Sequence, residues 1–191
     1  AKRFCQFARS AAHTPRVLII VPPALVKNWE EATRDFALQR FGAYDILRNG
    51  SLHKLRHDPE DYDLIIVDEA HKFRNDTAGA YGQLQRLCKT PTRRKVPGTD
   101  TMERKRVILI SATPLNNRPE DIANLLYLFQ DSKQPTLEGV DNLQHFFRQR
   151  TDEYQRLRGV SRPDMRAGLK QLYSLIREKV LEQVTVRRTR T

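Results

Sequence analysis

Cysteine is scarce. Cys5 and Cys88 are the only two in 191 residues, and neither stands in a Cys-x-x-Cys or Cys/His spacing. That excludes a disulfide framework and a zinc site of recognisable spacing. Long apolar runs are also missing: nothing approaches the ~20 residues of a membrane span, and the first residues contain no signal-peptide apolar segment. The expectation is a soluble, non-secreted protein, cytoplasmic in a bacterium or nuclear in a eukaryote. Acids are in deficit, with 23 Asp+Glu against 34 Lys+Arg and a formal net charge of +11. Such an excess suits a polyanionic partner, nucleic acid first, although a solvated basic surface gives the same count. The eight glycines include no Gly-Lys pair, so no phosphate loop of the form G-x-x-x-x-G-K-[ST] exists in this stretch. The five histidines are scattered, and the i, i+4 pair His53 and His57 lacks the glutamate of a zinc-protease helix. Both read as surface positions. There is no internal repeat and no low-complexity tract.

What remains is an alternation of strand and helix patterns. The first residues, Ala1 to His13, suggest a basic helix with Phe4, Phe7, Ala8 and Ala11 on one stripe. Val17 to Val21 is a continuous apolar run closed by Pro22-Pro23, and Ala24 to Leu38 follows with Leu25, Trp29, Ala32 and Phe36 at helical spacing. Tyr44 to Leu47 suggests a short strand, Ser51 to Arg56 a short helix, and Asp58-Pro59 a turn. Leu64 to Val67 is a second apolar run, followed by a polar loop at Lys72 to Asp76 and a helix from Thr77 to Lys89. Thr90 to Arg106, with Pro91, Pro97 and Gly98 among six arginines and lysines, has no periodicity and reads as a basic loop, either a phosphate contact or a linker. Val107 to Ile110 restores a buried-strand pattern, and a helix opens at Pro119-Glu120-Asp121 with Ile122, Leu125, Leu126 and Phe129 on its apolar face. Two longer amphipathic helices, Asp141 to Leu157 and Asp164 to Glu182, make a helical hairpin appended to the sheet domain. Strands alternating with helices specify an α/β fold, a mainly parallel sheet with helices on both faces.

The most informative stretch is Asp68-Glu69-Ala70-His71, directly after Leu64-Ile65-Ile66-Val67. A buried parallel strand delivers these acids at its C-terminal end, where open α/β sheets hold their ligands. Two neighbouring acids there match the needs of phosphoryl transfer. Asp68 is placed to hold a hydrated Mg²⁺, and Glu69 to orient or deprotonate an attacking water.

Four segments occur in a telling order: Val21-Pro22-Pro23-Ala24-Leu25 with Asn28-Trp29, then Asp68 to Asn75, then Ser111-Ala112-Thr113-Pro114-Leu115-Asn116-Asn117, then Arg187-Arg188-Thr189. Together they resemble the first RecA-like lobe of a Swi/Snf-type ATPase of helicase superfamily two. The resemblance implies a RecA-like P-loop NTPase lobe over residues 1–191, with the hairpin at 141–183 as the family's helical protrusion. It implies ATP and Mg²⁺ as cofactors, and as partners duplex DNA, held by its backbone phosphates, and a second RecA-like lobe. Asp68 and Glu69 would form the Walker B pair, with His71 coupling them to the neighbouring motif. Ser111, Ala112 and Thr113 would link ATP state to DNA grip, unless they are only a strand-to-helix turn with hydroxyl caps. Pro22, Pro23 and Asn28 would contact DNA. Trp29 shares a stripe with Leu25 and Phe36 and reads as core rather than as a base-stacking residue. Asn116 and Asn117 would lie near DNA or act as caps, and Arg187 and Arg188 would lead toward the second lobe or form a solvated cluster.

The chain departs from that family where the phosphate loop should be. It therefore reads as a fragment beginning just after that loop, without hydrolytic activity alone. Two functions follow: part of a DNA-stimulated motor that translocates on duplex DNA, or a degenerate lobe that binds nucleic acid or protein without hydrolysing ATP. Intact Asp68 and Glu69 favour the motor.

Overall fold

The computed structural model describes residues 14–74, 79–111 and 118–186. The expected N-terminal helix, the start of the helix at Thr77, and Ala112, Thr113, Asn116, Asn117, Arg187 and Arg188 lie outside them. The chain divides into two compact units, Ala1–Ala112 and Thr113–Thr191.

The first unit is built on strands β1 (Arg16–Val21), β2 (Ala43–Arg48), β3 (Leu64–Val67) and β4 (Arg106–Leu109). They form one parallel sheet in the order β2-β1-β3-β4. Register places Val17 beside Leu64 and Ile19 beside Ile66, so these side chains share a face. On that face Leu25, Val26 and Trp29 pack against Val17, Ile19, Val21, Leu64 and Ile66. Leu18, Ile20, Ile65 and Val67 point to the other face and are buried as well. A strand buried on both sides has no polar side to alternate with, which is why β1 and β3 read as unbroken apolar runs. The sheet with its helices is the α/β arrangement of a RecA-like lobe.

Pro22 closes β1 because it has no N–H to give a ladder, and Pro23 opens a 3₁₀ turn, Pro23–Leu25, that continues into helix α1 (Val26–Asp35). The helix is shorter than the expected Ala24 to Leu38. Ala37 takes a left-handed backbone, φ 48°, and breaks the stripe, so Phe36 is 69% exposed rather than buried. The expected short helix at Ser51 to Arg56 is a 3₁₀ segment, Asn49–Lys54. Helix α2 (Gly79–Lys89) buries Tyr81, Leu84, Leu87 and Cys88.

Strand β4 corrects another expectation. It lies at the end of the strand order, and Ile108 and Ile110 are exposed by 42% and 40% rather than buried. An apolar run marks a strand but not its place in the sheet.

The segment 90–106 is neither a free basic loop nor an unstructured linker. Lys95 and Met102 form an antiparallel bridge, and Val96 N–H donates to Thr101 O at 2.8 Å. Gly98 takes the positive φ, 78°, that this tight return needs. Its cations face acids: Arg93 meets Asp58 at 2.8 Å and Asp61 at 2.6 Å, and Arg94 meets Asp63 at 3.2 Å and Glu103 at 2.9 Å. The Arg93 guanidinium holds the Asp61 carboxyl below its ordinary value. Sequence periodicity could not register this order, because the partners lie about thirty residues away in the chain.

The second unit is helical: α3 (Pro119–Tyr127), α4 (Leu143–Leu157), α5 (Arg162–Ile176), a π-helical turn Arg177–Leu181, and α6 (Glu182–Val184). Its core is apolar, with Ile122, Leu126, Leu143, Phe147, Leu172 and Ile176 in one cluster. Asn142 caps α4, its side chain accepting from His145 N–H at 2.8 Å. Pro163 sits in the first turn of α5, where the missing N–H costs nothing. Among the described residues, no helix is long and apolar enough to cross a membrane.

Candidate nucleotide site at the end of strand β3

Strand β3 ends between β1 and β4, and its ladder runs one residue past each end. Asp68 N–H donates to Ile20 O at 2.8 Å, and Ile110 N–H donates to Val67 O at 2.8 Å. Asp68 therefore begins where regular pairing stops, with its backbone still fixed by β1. Both oxygens of its side chain accept hydrogen bonds. Oδ1 takes the N–H of Glu69 at 2.9 Å, and Oδ2 takes the indole Nε1–H of Trp29 at 2.8 Å. Two neutral donors fix the plane of the carboxylate and leave lone pairs for a further ligand.

The next residue turns sharply. Glu69 has φ 51° and ψ 45°, a left-handed conformation that costs a residue with a Cβ about 1 kcal/mol or more. This bend starts the 3₁₀ turn Ala70–Phe73, whose Ala70 N–H donates to Ile110 O at 2.9 Å. The turn is thus fastened to the end of β4, immediately before Ser111. Glu69 Oε2 lies 3.0 Å from His71 Nδ1, yet the contact does not have hydrogen-bond geometry. Both atoms are buried, as is Ser111 Oγ, and none of the three has a hydrogen-bond partner among the described residues. Buried polar atoms without partners are uncommon, and here two of them follow β3 and the third follows the neighbouring strand β4.

The sequence-derived residues are distributed as follows. Asp68, Glu69 and His71 form one constellation at the end of β3, with Ser111 at the end of the adjacent strand. Pro22 is buried behind the end of β1, whereas Pro23 and Asn28 are exposed at the start of α1. Trp29 packs against the sheet, as its stripe suggested, but its hydrogen bond to Asp68 was not foreseen. A signal existed: a half-buried tryptophan must find an acceptor for its N–H. The left-handed backbone at Glu69 left no signal in the residue types. Cys88 is a buried free thiol. Among the described residues, no three His, Cys, Asp or Glu side chains converge as a metal cage.

Comparison with known proteins gives this geometry a setting. No protein-family profile matches the sequence. The chain is similar to the SWI2/SNF2 ATPase core of Sulfolobus solfataricus, solved in complex with double-stranded DNA, with a TM-score of 0.55 and 17% identity over 87% of this chain and 33% of that one. The chain has the fold of a Snf2-like helicase lobe. It is also 30% identical over 131 residues to an uncharacterized ATP-dependent helicase of Bacillus subtilis (strain 168), YqhH. That match takes in 60% of this chain but 21% of the relative's length, so the chain spans only a small part of that relative. In this lobe the acid pair follows a central strand, with Ser111 at the end of the strand beside it.

Proposed function

We propose that this lobe is part of an ATP-dependent motor that couples hydrolysis to movement on duplex DNA, with Asp68 and Glu69 as its Walker B acids. The observation that carries the reading is the pair itself. One carboxylate is held by two donors, and the next is carried on a left-handed backbone with its Oε2 3.0 Å from His71 Nδ1; these two atoms and Ser111 Oγ are buried without a hydrogen bond among the described residues. Homology to an ATP-dependent helicase and a neighbour solved on double-stranded DNA support it.

The donor set suits Mg²⁺, which is usually bound through one or two carboxylates, several waters and substrate phosphates rather than by an all-protein cage. Asp68 would hold the ion through water, and the bound ion supplies neutralisation of phosphate charge. Glu69 would orient a water and accept its proton at Oε2, with His71 limiting where that carboxylate can turn. Ser111 Oγ, free to rotate its proton, would report the state of the acids to the segment that follows β4. Exposed Pro23 and Asn28 would meet DNA phosphates, and the excess of basic residues would supply the salt-dependent part of that affinity. Ala112, Thr113, Asn116, Asn117, Arg187 and Arg188 keep the roles implied by resemblance. The whole chain is read as one lobe, its hairpin at 141–183 a protrusion open to protein partners. The phosphate loop and the second lobe would come from elsewhere in the motor, so this stretch alone would not turn over ATP.

Substituting Glu69→Gln in the full-length motor tests this directly. DNA-stimulated ATP hydrolysis should fall by about 10²- to 10⁴-fold, the usual contribution of a positioned general base, with DNA affinity held within about twofold. Unchanged turnover would remove Glu69 from the chemistry and leave a lobe that only binds.

A further inference from the structure

The described residues contain several features that the proposed function does not use, and one of them bears on how the acids are held. Trp29 is the only tryptophan in the sequence. It lies in the first turns of α1, whose entry turn Pro23–Leu25 comes straight off the end of β1. Its ring packs on the face of the sheet formed by Val17, Ile19, Leu64 and Ile66. Packing alone would be served equally well by phenylalanine. What phenylalanine lacks is the N–H, which here donates to Asp68 Oδ2 at 2.8 Å across 39 positions of sequence.

Among the described residues, the carboxylate without that bond would keep the donor on Oδ1, which belongs to its own neighbour Glu69 and turns with the local backbone. The bond from Trp29 is the constraint that refers Asp68 to a different element. The same helix presents Asn28, exposed, one residue before Trp29, and Pro23 at its entry. A small shift of α1 would therefore move the indole N–H relative to the carboxylate.

We propose that Trp29 is a positioning residue. Its indole N–H sets the orientation of the Asp68 carboxylate and ties it to α1, so that displacement of this helix by a bound polyanion changes how Asp68 presents its free lone pairs. The idea rests on the reading of Asp68 as the Mg²⁺-bearing acid, and its test separates the two.

The decisive variant is Trp29→Phe, which keeps an aromatic ring in the apolar cluster and removes only the donor. A hydrogen bond to a charged group supports a loss of about 10- to 100-fold when removed. In the full-length motor the variant should lower DNA-stimulated kcat by roughly that factor and raise the Mg²⁺ concentration for half-maximal rate, with KM for ATP and DNA affinity changed less than about twofold. A merely structural role would instead lower the melting temperature and leave the Mg²⁺ dependence alone. A second readout needs no activity: in the 191-residue chain the single indole N–H gives one ¹⁵N-resolved resonance. Asp68→Asn should move that resonance, and so should short duplex DNA if α1 carries the coupling.

The outcomes divide cleanly. A dead Glu69→Gln enzyme with a Trp29→Phe enzyme of unaltered kcat and Mg²⁺ dependence overturns the positioning role while leaving the motor reading intact. Full turnover in Glu69→Gln overturns the motor reading instead. The indole resonance then decides alone, since a signal unmoved by both Asp68→Asn and duplex DNA overturns the tie.

Discussion

The two compact units handle a basic chain in opposite ways. In Ala1–Ala112 charge is taken into the structure. Asp63, 2% exposed, accepts Arg16 N–H at 2.8 Å and faces Arg94 at 3.2 Å, and Lys105, 7% exposed, donates to Thr90 O and Pro91 O. In Thr113–Thr191 the core cluster is apolar, and an ion pair, Arg150 with Glu153 at 3.3 Å, lies one turn apart on α4. The difference teaches what each unit is sensitive to. A core of close-packed aliphatic side chains responds to volume, whereas buried ions respond to protons.

The largest effect that would sharpen this contrast is at Ile176, fully buried in the helical core. Ile176→Ala should destabilise that unit by about 2–5 kcal/mol through lost transfer energy and a residual cavity. Hydrogen exchange would show early loss of protection at 143–176 with the sheet amides retained. Equal loss in β1 and β3 would mean that the two units unfold together and the contrast is only one of composition.

A smaller effect belongs to the sheet unit. Burial lowers Lys105 from 10.5 to about 8, so between those values the unfolded chain carries a proton that the folded chain lacks. Stability therefore rises with pH across that window. Burial also raises Cys88 from 9.0 to about 12, and its unfolded thiol loses a proton first, so its contribution falls above pH 9. Together they predict a net gain of roughly 1 kcal/mol between pH 7 and 9, flattening beyond it. Denaturant titrations at several pH values measure this gain, and Lys105→Met should abolish it, leaving the slight fall that Cys88 contributes as pH approaches 9. If the gain survives that substitution, charge burial at Lys105 is not its source.

The smallest expected effect is at Ala37, which ends α1 with φ 48°. Glycine adopts that conformation without penalty, so Ala37→Gly should stabilise the sheet unit by about 0.5–1 kcal/mol, raising its melting temperature by a few degrees. A lower melting temperature would show that the unfolded chain's added freedom outweighs the strain.

Much of the fold was legible because its signals are local. Pro22-Pro23 stops β1, continuous apolar runs mark strands buried on both faces, and Pro119 marks a helix start. The acids at 68 and 69 were legible because a strand end is a defined place in a parallel sheet. Other features escaped for physical reasons. Phe36 continues a helical stripe in sequence, but a left-handed residue beyond it points the ring into solvent. The order of 90–106 depends on Asp58, Asp61 and Asp63, none of which is near in sequence. The edge position of β4 depends on which strand pairs with which, a global property that Val107 to Ile110 do not encode.

The sequence by itself determined that this is an α/β chain with two acids at the end of a buried strand, because residue period and strand-ending chemistry are written residue by residue. Only the tertiary structure decided how those acids are held. Trp29 reaches Asp68 through packing of a helix against a sheet, and Glu69 is bent by the turn fastened to Ile110. Contacts between residues distant in the chain come from how the elements stack, and no local pattern of residue types specifies that stacking.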